Sequence, residues 1–289
     1  MAAWLVEETP EVDRAILIDG DRILAAHIAL KGDDHPRLGA VLAARWHSPQ
    51  RVNAGERPAA AILIDEHDNQ LYLPRPPAGA GPGTRLTVEV VREAVWTPRS
   101  HKLAKVRVTD AAAAAVPSLP AILAAPILSP YQPDALEAAG WTELLEEAEL
   151  GRVDGDGVRL WLDATEAMTL IDIDGTLPPE DLAVAGATLV ARTIRRLDIG
   201  GSIGIDFPTV ASKSARLAAA DAFDAAMTDA FASPFERTAI NGYGFMQVIR
   251  PLLRPSIMAI MRSRHAQHEH ARRTHRAEYD GYLSAMPRR

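Results

Sequence analysis

The sequence predicts a chain of mixed α+β and α/β class, in which a small β-barrel stands ahead of an α/β part. Three observations lead there. Residues 166–208 run strand, helix, strand, with apolar strands ending in Asp172-Ile173-Asp174-Gly175 and Ile205-Asp206-Phe207, the pattern of a βαβ unit. Residues 36–110 hold five short apolar runs punctuated by Asn, Gly and Pro, as a small barrel requires. An Ala/Pro-rich stretch over 111–136 lies between them, and its prolines disfavour a long helix and suit a connector.

In chain order, residues 14–30 (RAILIDGDRILAAHIAL) place two apolar runs around Asp19-Gly20-Asp21. Asp-Gly between apolar runs is a hairpin signal, so these aspartates read as turn residues. The barrel runs are LGAVLAARW, AAAILID, QLYLP, RLTVEVVRE and LAKVRVTD. An OB-type barrel fits that count, and such barrels hold single strands on exposed aromatic and basic side chains. Tyr72, Trp96, Arg99, Lys102 and Lys105 are available for that role, with packing as the competing role for Tyr72 and Trp96. PRPPAGAGPG (74–83) reads as a loop, because it lacks the Gly-x-Gly-x-x-Gly spacing of a phosphate-binding turn.

A helix is expected over about 134–149. Asp154-Gly155-Asp156-Gly157 sits between strand-like runs without calcium-loop register, which makes it a hairpin turn. The helix over about 179–197 places Ala183, Ala187, Val190, Ile194 and Leu197 on one apolar stripe, with Arg192, Arg195 and Arg196 off it. An Ala-rich helix over 211–231, a strand RTAINGYGF (237–245) and a last helix over about 256–283 complete the chain. That last helix carries His265, His268, His270 and His275. Histidines at such spacing can bind metal, but no carboxylate or cysteine completes a set and the arginines around them repel cations.

The βαβ unit carries the chemistry. A crossover makes its two strands parallel, so their C-terminal ends share the edge where ligands of open α/β sheets bind. Asp172 and Asp206 converge there, and strand period puts Asp174 on the face of Asp172. Aspartates at strand ends also cap helices and make turns, but a carboxylate cluster repels itself unless a cation or proton is present. Mg²⁺ is the natural cation, since it takes oxygen ligands and uses one or two carboxylates with substrate phosphates.

Composition narrows the classes. The 289 residues have a hydrophobic content of 47%, a net charge of −7 and no cysteine, so disulfides and Cys-based zinc or redox sites are excluded. The charge is uneven, with nine Arg between Arg250 and Arg289 against Glu269, Glu278 and Asp280. The N-terminus reads as no signal peptide and no run is long enough to span a membrane, which points to a soluble cytoplasmic protein.

Two resemblances bear on function. Asp172-Ile173-Asp174-Gly175-Thr176-Leu177 is similar to the first motif of haloacid dehalogenase-type phosphatases, where the first Asp is the nucleophile. There the motif sits on the first strand, whereas here over half the chain precedes it, and no later acidic motif follows. The broader resemblance is to the ribonuclease E/G family of endoribonucleases. RAILIDGDRILAAHIA looks like that family's opening hairpin, and the barrel runs resemble its inserted OB-type RNA-binding barrel. DATEAMTLIDID…ATLVARTIRRLDIGGSIGIDF is similar to the centre of its deoxyribonuclease I-like α/β catalytic domain, and ERTAINGYGFMQVIRPLLRPS resembles the segment that closes it.

That resemblance implies that Asp172 and Asp206 are paired Mg²⁺ ligands, with Asp174 at a position where the family has an orienting Asn. It implies RNA contacts at Tyr72 and Lys102, with Leu63 at a second, aromatic position, and Arg237 near the substrate's 5′ end. The family's 5′-sensor segment and zinc-linking Cys-x-x-Cys are missing, so this resembles a trimmed member without a zinc-linked dimer, its oligomeric state open. The implied layout is an N-terminal hairpin packing on the catalytic part (1–35), the barrel (36–112), a connector and helix (113–150), and the catalytic domain with a basic C-terminal helix (151–289). The expected activity is Mg²⁺-dependent cleavage of single-stranded RNA leaving 5′-phosphate ends. A non-catalytic RNA-binding relative and a phosphatase are the alternatives.

Overall fold

A computed structural model of the chain describes residues 2–31, 35–50, 60–96, 101–114, 116, 118–128, 134–228 and 233–263. The chain opens on β1 (Ala3–Glu8), β2 (Val12–Asp19) and β3 (Arg22–Leu30), an antiparallel sheet with β2 in the middle. β2 and β3 are the expected hairpin, turning at Gly20, whose φ of 64° suits glycine. β1 adds a third strand beyond it, its Val6 buried with Ala15 of β2. On the other side of this sheet, Ile16 and Ala26 join the core of the α/β part.

Seven strands follow: β4 (Val41–Gln50), β5 (Ala60–Ile64), β6 (Gln70–Pro74), β7 (Arg85–Arg92), β8 (Val95–Trp96), β9 (His101–Lys102) and β10 (Ala104–Val108). Five of them close into a barrel in the order β10-β6-β5-β4-β7. Only the β10–β6 contact is parallel. All five barrel strands come from the five apolar runs. Alternation puts Leu71 and Leu73, Val88 and Val90, and Val106 inside. β8 and β9 form a two-stranded ladder on which Trp96 and His101 stack, ring centres 3.7 Å apart.

The connector contains α1 (Leu119–Leu123), then α2 (Ala135–Ala138) and α3 (Trp141–Leu150). The single helix expected over 134–149 is broken at Gly140, whose φ of 95° cannot continue a helix.

The last part holds β11 (Arg152–Gly155), β12 (Val158–Ala164), β13 (Thr169–Gly175), α4 (Pro179–Arg196), β14 (Gly201–Asp206), α5 (Lys213–Met227), β15 (Glu236–Arg237) and β16 (Phe245–Arg250). Its six strands run in the order β11-β12-β13-β14-β16-β15. β13 and β14 are the parallel pair, and the other contacts are antiparallel. The strand expected over 237–245 is instead the end of β15, a turn, and the start of β16. Asn241 makes that turn: its Oδ1 accepts from the backbone N–H groups of Tyr243 and Phe245, and Gly244 follows at φ 89°. α5 is shorter than the expected 211–231. Residues 257–263 begin the expected last helix, and its four histidines lie outside the described residues. Among those described, no helix is long and apolar enough to cross a membrane.

α4 seals one face of the sheet. Pro179 at its first turn, Glu180 and Asp181 beside it, and Arg195 and Arg196 in its last turn suit the helix dipole. The predicted stripe of Ala183, Ala187, Val190, Ile194 and Leu197 is fully buried. β13 ends in close packing at Gly175, where an added Cβ would lie 2.3 Å from the Gly157 carbonyl oxygen and 2.7 Å from Leu182 Cδ1. Gly175→Ala is expected to lower stability by about 1–3 kcal/mol. Urea unfolding reads this as a lower midpoint at unchanged slope. An unchanged midpoint would mean that the β11–β12 turn yields freely.

Candidate functional site

The parallel pair sets the site. Its register matches Thr169 with Ile203, Ile171 with Ile205, and Asp172 with Asp206. Ile171, Ile173 and Ile205 point into the core, while Asp172, Asp174 and Asp206 are exposed on the opposite face. The crossover thus makes two aspartates distant in sequence into lateral neighbours, on strands whose backbones lie about 4.8 Å apart. Partial burial, then the charges of Asp206 and Asp174, push the Asp172 carboxyl above its usual range, as expected where like charges crowd.

Asp174 shares this face, two residues on from Asp172. Its Oδ1 accepts the Gly175 N–H at 2.8 Å, and it stands across from Arg159. Among the described residues no three His, Cys, Asp or Glu side chains gather closely enough to hold a metal. The candidate is therefore a two-carboxylate set. That set fits Mg²⁺, which retains several waters and needs only one or two protein carboxylates beside substrate oxygens.

Sequence reasoning missed the neighbours of this pair. Cross-strand register runs Arg152 to Trp161, Trp161 to Asp172, Asp172 to Asp206 and Asp206 to Phe245. One row across five strands thus reads cation, aromatic, carboxylate, carboxylate, aromatic. Trp161 is 45% exposed. The guanidinium carbons of Arg152 and Arg159 lie 5.8 and 5.9 Å from its ring centre. Both arginines also pair with Asp154 at 2.7 Å. The Phe245 ring covers Gly204, with its Cζ 2.7 Å from where a Cβ would be. Tyr243, 87% exposed, stands in the adjoining turn. A signal did exist: the β12–β13 turn pairs Ala164 with Thr169, and counting back from it places Trp161 opposite Asp172.

The barrel residues fall into two groups. Tyr72 is half-buried between inward-pointing Leu71 and Leu73, beside Lys105 on β10, which itself faces Arg92 on β7. Lys102 is half-buried on β9, opposite Val95. Leu63 corrects the expectation: it is 0% exposed in the barrel core, so its position packs the interior and offers no surface to a strand of RNA. Arg237 sits on edge strand β15, where its Nε and Nη2 each donate to Asp224 at 2.6 Å. Arg99 lies outside the described residues.

A second polar centre lies where α4 ends. Asp198 adopts a left-handed φ of 50°. Its carboxylate meets His27 Nδ1 at 3.1 Å, Arg250 Nη1 at 3.0 Å and Arg254 Nε at 3.7 Å. Burial alone would raise the Asp198 carboxyl, but His27, Arg250 and Arg254 outweigh it and hold the group at about 2. Arg250 also donates to the Ile199 carbonyl at 2.9 Å and to Ser233 Oγ at 3.3 Å. Trp4 stacks on His27 with ring centres 5.1 Å apart. The cluster joins the first sheet to α4 and β16 and lines a cavity of about 100 Å³. Its ion pairs are mutual, which marks it as structural. In comparisons with known proteins, no family model matches the chain and no curated protein matches it.

Proposed function

We propose that the chain is a Mg²⁺-dependent endoribonuclease acting on single-stranded RNA, a relative of the ribonuclease E/G family without its 5′-sensor segment or zinc link. The observation that carries this reading is the in-register pairing of Asp172 and Asp206 on an exposed face of the α/β sheet. Those two carboxylates would hold the metal. Held by Asp172 and Asp206, Mg²⁺ would supply an activated water and charge neutralisation at the phosphodiester, and 5′-phosphate ends would be the expected products. Asp174, bonded to the Gly175 N–H, keeps the strand end in place and adds negative charge beside the pair. The five-stranded barrel is read as an OB-type module, with Tyr72 as a stacking residue and Lys102 as a phosphate contact, and Lys105 beside Tyr72 as a second basic group. The six-stranded sheet with its crossover helix is read as the deoxyribonuclease I-like part.

The test is cleavage of a labelled single-stranded RNA, with and without Mg²⁺, in 5′-monophosphate and 5′-hydroxyl forms. Internal cuts that need Mg²⁺ and ignore the 5′ end are the expected result. RNA that is bound but never cut would leave a binding protein. Hydrolysis of small phosphate esters with no action on RNA would leave the phosphatase reading.

A further inference from the structure

The row that contains Asp172 and Asp206 has a composition that packing does not explain. Trp161 stays 45% exposed in the middle of a sheet face, with the guanidinium groups of Arg152 and Arg159 over its ring. Its neighbours are charged: Arg152 across one strand, Asp172 across the other, and Arg159 two residues back on the same face. Beyond the carboxylates, the row continues to Phe245. Trp161 and Phe245 thus flank the pair on its two sides, three strand spacings or roughly 14 Å apart, a span that a few nucleotides of an extended strand cover.

We propose that the row Arg152, Trp161, Asp172, Asp206 and Phe245 is a track for single-stranded RNA, with nucleobases held on Trp161 and Phe245 to either side of the phosphodiester at the carboxylate pair. The proposal rests on the reading of that pair as the cutting centre. The physical case is the matching of unlike groups. A π face accepts any base, which suits a cutter of varied sequence. Arg152 and Arg159 lie beside Trp161, each paired with Asp154, and adjoining phosphates would compete with that carboxylate for their guanidinium groups. The carboxylates between the aromatics repel a polyanion until a divalent cation is bound, so the track holds RNA tightly only in Mg²⁺. The tip of the Phe245 ring already reaches over Gly204, and a ring held in this way loses little freedom on stacking.

The experiment measures binding, not turnover. A short fluorescent single-stranded RNA with a hydrolysis-resistant backbone is titrated in Mg²⁺ with the full chain, Trp161→Ala, Trp161→Phe and Phe245→Leu, each checked for folding by circular dichroism. Trp161→Ala is expected to bind roughly tenfold more weakly. Trp161→Phe should stay close to the parent and Phe245→Leu should fall between. Abasic substitutions within the RNA should weaken the parent but add little to the loss in Trp161→Ala. Equal binding by Trp161→Ala and the parent overturns the track. So does a Trp161→Ala variant that changes only the association state in sedimentation, which would assign the face to a second copy of the chain. If the parent cuts RNA and Trp161→Ala binds and cuts equally well, only the track falls. If binding depends on Trp161 but no variant cuts RNA, the track stands and the nuclease reading falls.

Discussion

Asp206→Asn is expected to abolish RNA cleavage while leaving the fold nearly unchanged. Its carboxylate is exposed at the end of β14 and makes no core contact, so the amide fits the same space. What disappears is one of the two negative donors of the proposed site, and with it half of the protein charge available to a cation there. The loss in turnover should be on the order of 10²-fold or more. Asp172→Asn should match it, because the register makes the two positions equivalent partners. Asp174→Asn should cost less, since its carboxylate is committed to the Gly175 N–H and an amide oxygen can accept the same bond. Single-turnover cleavage beside a binding titration separates these effects. Normal cleavage by Asp172→Asn would sink the metal assignment, and equal damage from all three would mean the cluster acts through charge alone.

The largest stability effect is expected at Asp198. Asn tolerates the left-handed backbone there, so Asp198→Asn removes charge without forcing the chain. Arg250, 8% exposed, then loses its carboxylate partner. Breaking such a pair should cost about 3–5 kcal/mol. Arg254→Ala, whose Nε is 3.7 Å from the carboxylate, should cost clearly less. The acid limb of stability follows from the same group. The Asp198 carboxyl is lowered from 3.8 to about 2, so its contribution is fully present above pH 3.8 and is lost as pH falls towards 2. That contribution is roughly 2 kcal/mol, and Asp198→Asn should flatten the profile over this window. Urea midpoints between pH 2 and 5 measure both effects. A midpoint unchanged at neutral pH would show that the arginines find other partners.

Strand content was legible wherever the sequence alternates or runs apolar between turn residues. The five barrel runs became the five barrel strands, and the stripe on α4 was read to the residue. Asp172, Asp174 and Asp206 were legible because period two and a parallel crossover are rules of the backbone. Leu63 was misjudged because matching a position to a family's aromatic ignores which way the strand turns, and here Leu63 sits among core positions of β5. The strand expected over 237–245 ran past Asn241, whose side chain closes a turn. The centre around Asp198 was illegible for another reason: His27, Asp198 and Arg250 come from separate elements, and nothing local in the sequence reports that they meet.

The β13–β14 register has a consequence for control. Asp172 and Asp206 stand on strands that are hydrogen-bonded to each other and backed by one buried helix. No hinge, loop closure or subunit rotation can bring them together or draw them apart without tearing the sheet. The pair is preassembled in every folded molecule. Regulation of the proposed chemistry would therefore work by occlusion, blocking the exposed face or withholding the cation, because the alternative of dismantling the pair is denied by the backbone itself.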